Sequence, residues 1–107
     1  MLKKNYKILE KNYHSPFGEI DIIAKDDDYI VFIEVKARKT GSIASPCCFV
    51  TASKKAKIIK TAMIFLTKFN SDLQPRFDII EVINSYDKSY IRHIKSAFDV
   101  ENEYEIF

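Results

Sequence analysis

The order of apolar and polar positions along the chain predicts five strands and one helix. Residues 19–25 begin by alternating polar and apolar side chains, the period of a half-buried strand. Residues 29–36 are apolar on both faces and rich in β-branched side chains, as expected for a central strand. Weaker patterns predict strands at residues 6–13, 76–83 and 90–94, turns at 15–18, 26–28 and 84–88, and a loop at 37–50.

The hydrophobic period changes between residues 52 and 69. Apolar side chains recur there at three- and four-residue steps, which predicts an amphipathic helix capped by Thr51 or Ser53. The predicted apolar stripe consists of Ala52, Ala56, Ile59, Met63, Leu66 and Phe69. The resulting order, β-β-β-α-β-β, indicates a two- or three-layer α/β domain with a mixed sheet.

Length, composition and charge restrict the class of protein. The chain has 107 residues, of which 47% are hydrophobic, enough for one core without a metal or disulfide. Residues 99–107 carry four acids and no base, so the remaining 98 residues have a charge of +6. We therefore expect a single domain over residues 1–98, followed by an acidic tail at 99–107. A basic domain is compatible with a polyanionic partner.

Cysteine usage and hydropathy predict the compartment. Cys47 and Cys48 are adjacent and make a poor structural bridge, so a reducing environment is expected. Neither cysteine has a histidine or further cysteine at zinc-site spacing. The sequence contains no apolar window of membrane-spanning length and no signal-peptide pattern, so we expect a cytoplasmic protein with no membrane partner.

Three charged residues form the candidate site. Glu34 and Lys36 lie about 7 Å apart on one face of the predicted central strand. Buried charges there need compensation by a cation, an ion pair or water. If Lys25 pairs with Ile30, Asp21 lies directly opposite Glu34, whereas a three-residue loop would turn Asp21 to the other face. The same register places Glu19 opposite Lys36.

A close pair of carboxylates beside an ammonium suits phosphodiester hydrolysis. The two carboxylates repel each other unless a cation lies between them, and Mg²⁺ prefers oxygen ligands. Lys36 would orient the attacking water or stabilise the charge on phosphorus. Phosphate contacts are expected from Arg38, Lys39, Lys54 and Lys57, although a solvated helix face explains the last two equally well. Glu19 is either an ion-pair partner of Lys36, the favoured interpretation, or an accessory acid.

Other polar residues have ordinary structural interpretations. Asp78 follows Arg76 and is expected to be structural. The run 26–28 predicts a solvated aspartate turn rather than a calcium loop. His14 and His93 are isolated in the sequence, and we expect neither to be a metal ligand or a general base.

Several motifs resemble those of the YraN-like family of uncharacterised bacterial proteins. They are the segments 17–24 and 31–38, followed by Ser45-Pro46, Val50-Thr51 with Lys54, Arg76-Phe77-Asp78, His93-Ile94 and Ala97-Phe98. The resemblance implies a restriction-endonuclease-like fold of the PD-(D/E)XK superfamily, similar to archaeal Holliday-junction resolvases. It also implies that Asp21, Glu34 and the Val35 carbonyl bind Mg²⁺ or Mn²⁺ and that Lys36 is catalytic. The implied substrate is DNA, including branched or structured DNA.

The chain departs from this family at its beginning. Members usually start with a helix that carries a glutamate, whereas only five residues precede Tyr6 here. We therefore expect a domain that lacks this helix and its acid, with core surface that a second copy of a homodimer could cover. The alternative function is a non-catalytic nucleic-acid-binding or protein-interaction module on the same scaffold.

Overall fold

The predicted order of elements is confirmed. The computed structural model describes residues 6–39 and 50–98, which form a five-stranded mixed sheet and one helix. The acidic tail at 99–107, the two cysteines and the residues before Tyr6 lie outside the described residues. The elements are β1 (Tyr6–Ser15), β2 (Gly18–Asp26), β3 (Tyr29–Lys39), α1 (Ala52–Lys68), β4 (Gln74–Asn84) and β5 (Ser89–Phe98).

The strands lie in the sheet in their chain order, with β3 at the centre. β1, β2 and β3 form an antiparallel meander, whereas β3 and β4 are parallel and are connected through α1. β5 returns antiparallel to β4. The pairing of β3 with β4 continues to Lys39 and Asn84, so residues 37–39 are strand and not the predicted loop. The parallel partner supplies the hydrogen bonds that extend this strand.

α1 covers one face of the sheet and encloses the larger core. Its side chains Ile58, Ile59, Ala62 and Phe65 pack against strand residues that include Ile23, Phe32 and Phe77. The predicted stripe was partly wrong, because Met63 is exposed and Ile58 is buried. Two apolar stripes lie side by side on this helix, and the contact with the sheet decides which of them is covered.

Local contacts determine where α1 begins and how it meets the sheet. Thr51 is the N-cap: its hydroxyl oxygen accepts a hydrogen bond from the Lys54 amide at 3.1 Å. Further along the helix, the Thr61 and Ser15 hydroxyl oxygens lie 2.8 Å apart. Beside them, a Cβ on Gly18 would lie 3.4 Å from Lys57 Cβ, so the β1–β2 turn approaches the helix closely. Within the described residues, no helix has the length and hydrophobicity to cross a membrane.

The face opposite α1 contains a buried ionic cluster around Arg76. Arg76 donates to Asp26 at 3.0 Å and, through two nitrogens, to Asp78 at 3.0 and 2.9 Å. Asp78 is fully buried and also contacts His93 Nε2 at 2.7 Å. Arg76 additionally donates to the Tyr6 hydroxyl. These contacts join β1, β2, β4 and β5, and they agree with the structural interpretation of Asp78.

The prediction of a solvated turn at residues 26–28 was wrong for Asp26. Asp26 is only 8% exposed, because it ends β2 beneath Arg76 instead of facing solvent. Burial by itself would raise the pKa of Asp26. Hydrogen bonds from Arg76 and Tyr6, together with the positive charge of Arg76, outweigh that effect and lower the pKa.

The lowered pKa of Asp26 predicts acid sensitivity. The stabilisation is complete above the unfolded-state pKa of about 3.9 and is lost as the pH falls through the lower folded-state pKa. Urea unfolding between about pH 5 and about pH 2 should show a free energy of unfolding that declines less steeply in Asp26→Asn than in wild type. Identical slopes would contradict this role of Asp26.

The Arg76 cluster also predicts a large effect of removing one charge. Asp78→Asn should lower the free energy of unfolding by about 3 kcal/mol, because it breaks a buried ion pair. Urea denaturation measures this change. The exposed Asp72→Asn serves as the matched control and should change stability by less than about 0.5 kcal/mol. A similar small loss for both variants would show that the cluster contributes little.

Candidate metal and catalytic site

The candidate site lies where β2 and β3 separate. Of the two registers that the sequence left open, the structure has the one in which Lys25 pairs with Ile30, and the pairing continues to Ile22 and Ile33. The described pairing ends there, so Asp21 and Glu34 are not the directly opposed pair that the register predicted. Instead, the Val35 amide donates a hydrogen bond to Asp21 Oδ2 at 2.8 Å. The carboxylate thus takes the place of a backbone acceptor on β2.

An irregularity in β2 positions Asp21 in this gap. Ile20 and Ile23 both belong to the core beneath α1, although an odd number of steps separates them. Regular alternation would send them to opposite faces, so the strand departs from it near Asp21. The neighbouring Asn12 on β1 has a positive φ of 52°. Asp21 lines an open cavity of about 490 Å³ with Ile8, Lys11, Asn12, Ile22 and Val35.

Glu34 lies on the helix side of β3 and is almost completely buried, with 5% of its side chain exposed. Two ammonium groups approach the same oxygen of its carboxylate. Lys36 Nζ lies 3.3 Å from Glu34 Oε2, and Lys54 Nζ lies 2.5 Å from it. The ion pair therefore supplies the compensation that a charge on this strand requires.

Lys54 was predicted to contact phosphate, and its contact with Glu34 was missed. The hydrogen bond from Lys54 to Glu34 is the largest cause of a raised pKa at Lys54, and burial opposes it. The negative charges of Glu34 and Asp21 also raise this pKa, which indicates that both acids act on the same ammonium. The sequence did indicate that a buried Glu34 needs a positively charged partner. It does not show where the helix crosses the sheet, so it could not identify Lys54 as that partner.

A further acid near the site was also missed. Glu81 on β4 is fully buried and is the register partner of Lys36 on β3. Its Oε1 lies 4.0 Å from Arg92 Nε. A glutamate within the otherwise apolar run 79–83 was the signal that could have identified it.

The remaining predicted residues lie on β2, α1 and the end of β3. The favoured Glu19–Lys36 pair was wrong: Glu19 Oε2 lies 3.4 Å from His14 Nε2, and Lys36 pairs with Glu34. The pairing of β2 with β3 ends at Ile22 and does not reach Glu19, which explains why Glu19 does not lie opposite Lys36. Lys57 is exposed and lines a cleft of about 240 Å³ with Gly18, Glu19, Thr51, Ser53, Lys54 and Ile58. Arg38 and Lys39 belong to the end of β3, and their side chains lie outside the described residues.

The oxygen groups of Asp21, Glu34 and Val35 are of the type that a hard divalent cation prefers. Residues 6–39 and 50–98 contain no set of three or more histidine, cysteine or acidic side chains that could hold a metal. Mg²⁺, however, commonly binds one or two carboxylates and keeps several waters or phosphate oxygens. Asp21 and Glu34 supply two carboxylates. The Val35 carbonyl is directed to the same gap as the Val35 amide, because both groups of a strand residue face the same neighbouring strand.

The hydrogen bond of Asp21 predicts a local change in backbone protection. Asp21→Ala should accelerate hydrogen exchange of the Val35 amide, since the variant removes its acceptor. Asp21→Asn should accelerate it less, because the amide oxygen of asparagine can still accept. Exchange of backbone amides followed by NMR measures both effects. Unchanged exchange in Asp21→Ala would show that another group satisfies Val35.

Comparison with known proteins identifies relatives along most of the chain. A UPF0102 protein of Thermodesulfovibrio yellowstonii is 45% identical over 98 residues, covering 92% of this chain and 84% of the relative. A UPF0102 protein of Clostridioides difficile is 46% identical over 99 residues, covering 92% of this chain and 85% of the relative. The family model described as "Uncharacterised protein family UPF0102" matches residues 1–82. The chain therefore belongs to the UPF0102 family, the YraN-like family that its motifs resemble.

Proposed function

We propose that this protein is a Mg²⁺-dependent nuclease that hydrolyses phosphodiester bonds in DNA. The observation that carries the proposal is the position of Asp21, where β2–β3 pairing ends and the Val35 amide binds its carboxylate. The neighbouring Glu34 and Lys36 place a second carboxylate and an ammonium on the adjoining strand. This combination supports a restriction-endonuclease-like, PD-(D/E)XK interpretation of the mixed sheet.

In this proposal each residue of the site has a separate role. Asp21, Glu34 and the Val35 carbonyl would hold Mg²⁺ or Mn²⁺. When bound, the cation supplies positive charge that neutralises the phosphate and makes water easier to deprotonate. Lys36 donates hydrogen bonds that orient the attacking water and stabilise the charge developing on the phosphate oxygens. Water adds to phosphorus, and the bond from phosphorus to the leaving sugar oxygen breaks.

The substrate would bind through its phosphates. Lys54 and Lys57 lie on the first turns of α1 beside the site, and Arg38 and Lys39 follow Lys36 along β3. Contacts of this kind position a duplex without reading its sequence. The protein would therefore select DNA by its shape, and we propose branched or structured DNA as the preferred substrate, in line with what the motif resemblance implies.

One observation favours a second candidate, a nucleic-acid-binding module without catalysis. Lys36 and Lys54 together neutralise Glu34, so the scaffold satisfies its buried carboxylate without a metal. A domain of this kind could bind phosphates through its lysines and cleave nothing. Its affinity for DNA would fall steeply with salt, whereas binding to an apolar protein partner would change little.

Cleavage assays distinguish the two candidates. Wild type should cleave a four-way junction or a nicked duplex with Mg²⁺ and not with EDTA. Asp21→Asn, Glu34→Gln and Lys36→Ala should each reduce the rate by about 10²-fold or more. Lys68→Ala, an exposed residue at the other end of α1, is the matched control and should cleave as wild type does.

Each outcome has a defined meaning. Equal cleavage by wild type and all three site variants would assign the activity to a contaminant and contradict the proposal. Salt-sensitive binding of DNA without Mg²⁺-dependent cleavage by any of the proteins would favour the binding module. No salt-sensitive binding at all would contradict both candidates.

A further inference from the structure

The two ammonium groups on Glu34 are not equivalent. Lys36 lies two residues from Glu34 on the same strand, so the strand keeps this ammonium near the carboxylate. Lys54 comes from α1 and makes the closer contact, at 2.5 Å compared with 3.3 Å. Its side chain is also more exposed, at 43% compared with 25%. The shorter contact therefore belongs to the ammonium that has more room to leave.

The backbone of Lys54 is fixed, whereas its side chain is long. The Lys54 amide donates to the Thr51 cap, which holds the first turn of α1 in place. The four-carbon side chain can redirect its charge without moving that turn. It borders the cleft that also contains Lys57 and the hydroxyl-bearing Thr51 and Ser53. All of these groups can donate hydrogen bonds to phosphate oxygens.

We propose that Lys54 is an internal counter-ion of Glu34 that leaves when a divalent cation binds, and that it then contacts a phosphate of bound DNA. This inference rests on the proposed function, because it assumes that Glu34 is a metal ligand. A cation at Glu34 repels a neighbouring ammonium at short distance. The Lys54 side chain is the more exposed of the two and borders the open cleft, so Lys54 is the group that moves.

The exchange couples metal binding to DNA binding. Without metal, Lys54 neutralises a buried carboxylate and contributes little to DNA affinity. With metal, the released ammonium adds one phosphate contact. Because coupling between two ligands is reciprocal, DNA should then also raise the affinity for the metal.

NMR of the lysine side chains tests the displacement directly. The Lys54 ammonium signal, assigned with Lys54→Met, should be visible without metal, because its hydrogen bond to a buried carboxylate slows exchange with water. Saturating Mg²⁺ should remove or shift this signal in wild type and leave it unchanged in Asp21→Asn. An unchanged signal in wild type, while the Val35 backbone amide shifts, would overturn the inference alone. If the Val35 amide did not respond to Mg²⁺, the metal site of the proposed function would fail and the inference with it.

Metal affinity provides a second test that needs no activity. Lys54→Met should bind Mn²⁺ about fivefold or more tightly than wild type in calorimetric titrations, since no ammonium has to be displaced. Lys57→Met is the matched control: it removes the same charge one turn further along α1, and Lys57 does not contact Glu34 in the described structure. Its Mn²⁺ affinity should stay close to that of wild type. An equal increase in both variants would indicate only a general effect of charge and would overturn the displacement.

Measurements of DNA affinity test whether the released Lys54 ammonium contacts a phosphate of the DNA. Lys36→Ala serves as the background, because the proposed function predicts that its cleavage is slow enough to leave the DNA intact during a binding measurement. Mg²⁺ should raise the DNA affinity of Lys36→Ala by a larger factor than that of the double variant Lys36→Ala with Lys54→Met. Equal factors would overturn the phosphate contact.

Discussion

The hydrogen bond from the Val35 amide to the Asp21 carboxylate determines the form of the candidate site. β2 and β3 are adjacent antiparallel strands, and regular pairing would occupy their backbone groups with each other. A side-chain acceptor at Asp21 satisfies Val35 and lets the two strands separate. The separation places polar oxygens in the interior of a sheet without leaving the Val35 amide unpaired, which would be costly. The same hydrogen bond thus serves the stability of the sheet and the placement of the acid.

Buried carboxylates are neutralised differently on the two faces of the sheet. On one face, Arg76 binds two aspartates in a closed cluster, and the Asp78 oxygens are shared among Arg76, His93 and the Ser96 amide. On the other face, Glu34 shares a single oxygen between two lysines, one of which is partly exposed. In the first arrangement the Asp78 carboxylate is fully buried and is bound by three different groups. The second includes a partner that can be exchanged, which is the property expected of a binding site.

The order of the elements could be predicted from the sequence, because it depends on local patterns, whereas the β2–β3 register depended on a loop length that the sequence left open. The apolar run at 29–36 indicated a central strand, and a short turn after Lys25 was the condition for the pairing with Ile30 that the structure has. Thr51 and Ser53 could both be identified as candidate caps from their chemistry and position, and Thr51 is the cap in the structure. The resemblance of the motifs to a known family agrees with the relatives found by comparison.

The errors concern features that depend on distant parts of the chain. The predicted opposition of Asp21 and Glu34 assumed an unbroken ladder, and a local irregularity in β2 ended it. Lys54 reaches Glu34 only because α1 crosses the sheet at that point. Asp26 is buried by Arg76, which lies 50 residues away. Hydrophobic periodicity contains no information about contacts between distant parts of the chain. The partners of charged residues near the ends of elements were therefore the hardest to predict.

The contacts around Arg76 connect the two outer strands of the sheet, β1 and β5. β1 and β5 are the outermost strands, yet the rings of Tyr6 and His93 lie 5.6 Å apart in an edge-to-face contact. The sheet must therefore coil strongly at this end, so that its two borders face one another. Outer strands with unsatisfied backbone groups readily recruit strands from other molecules. At this end the ring contact and the hydrogen bond from Arg76 to Tyr6 tie the outer strand β1 to the far side of the sheet, so an incoming strand would meet an edge whose first side chain is already engaged.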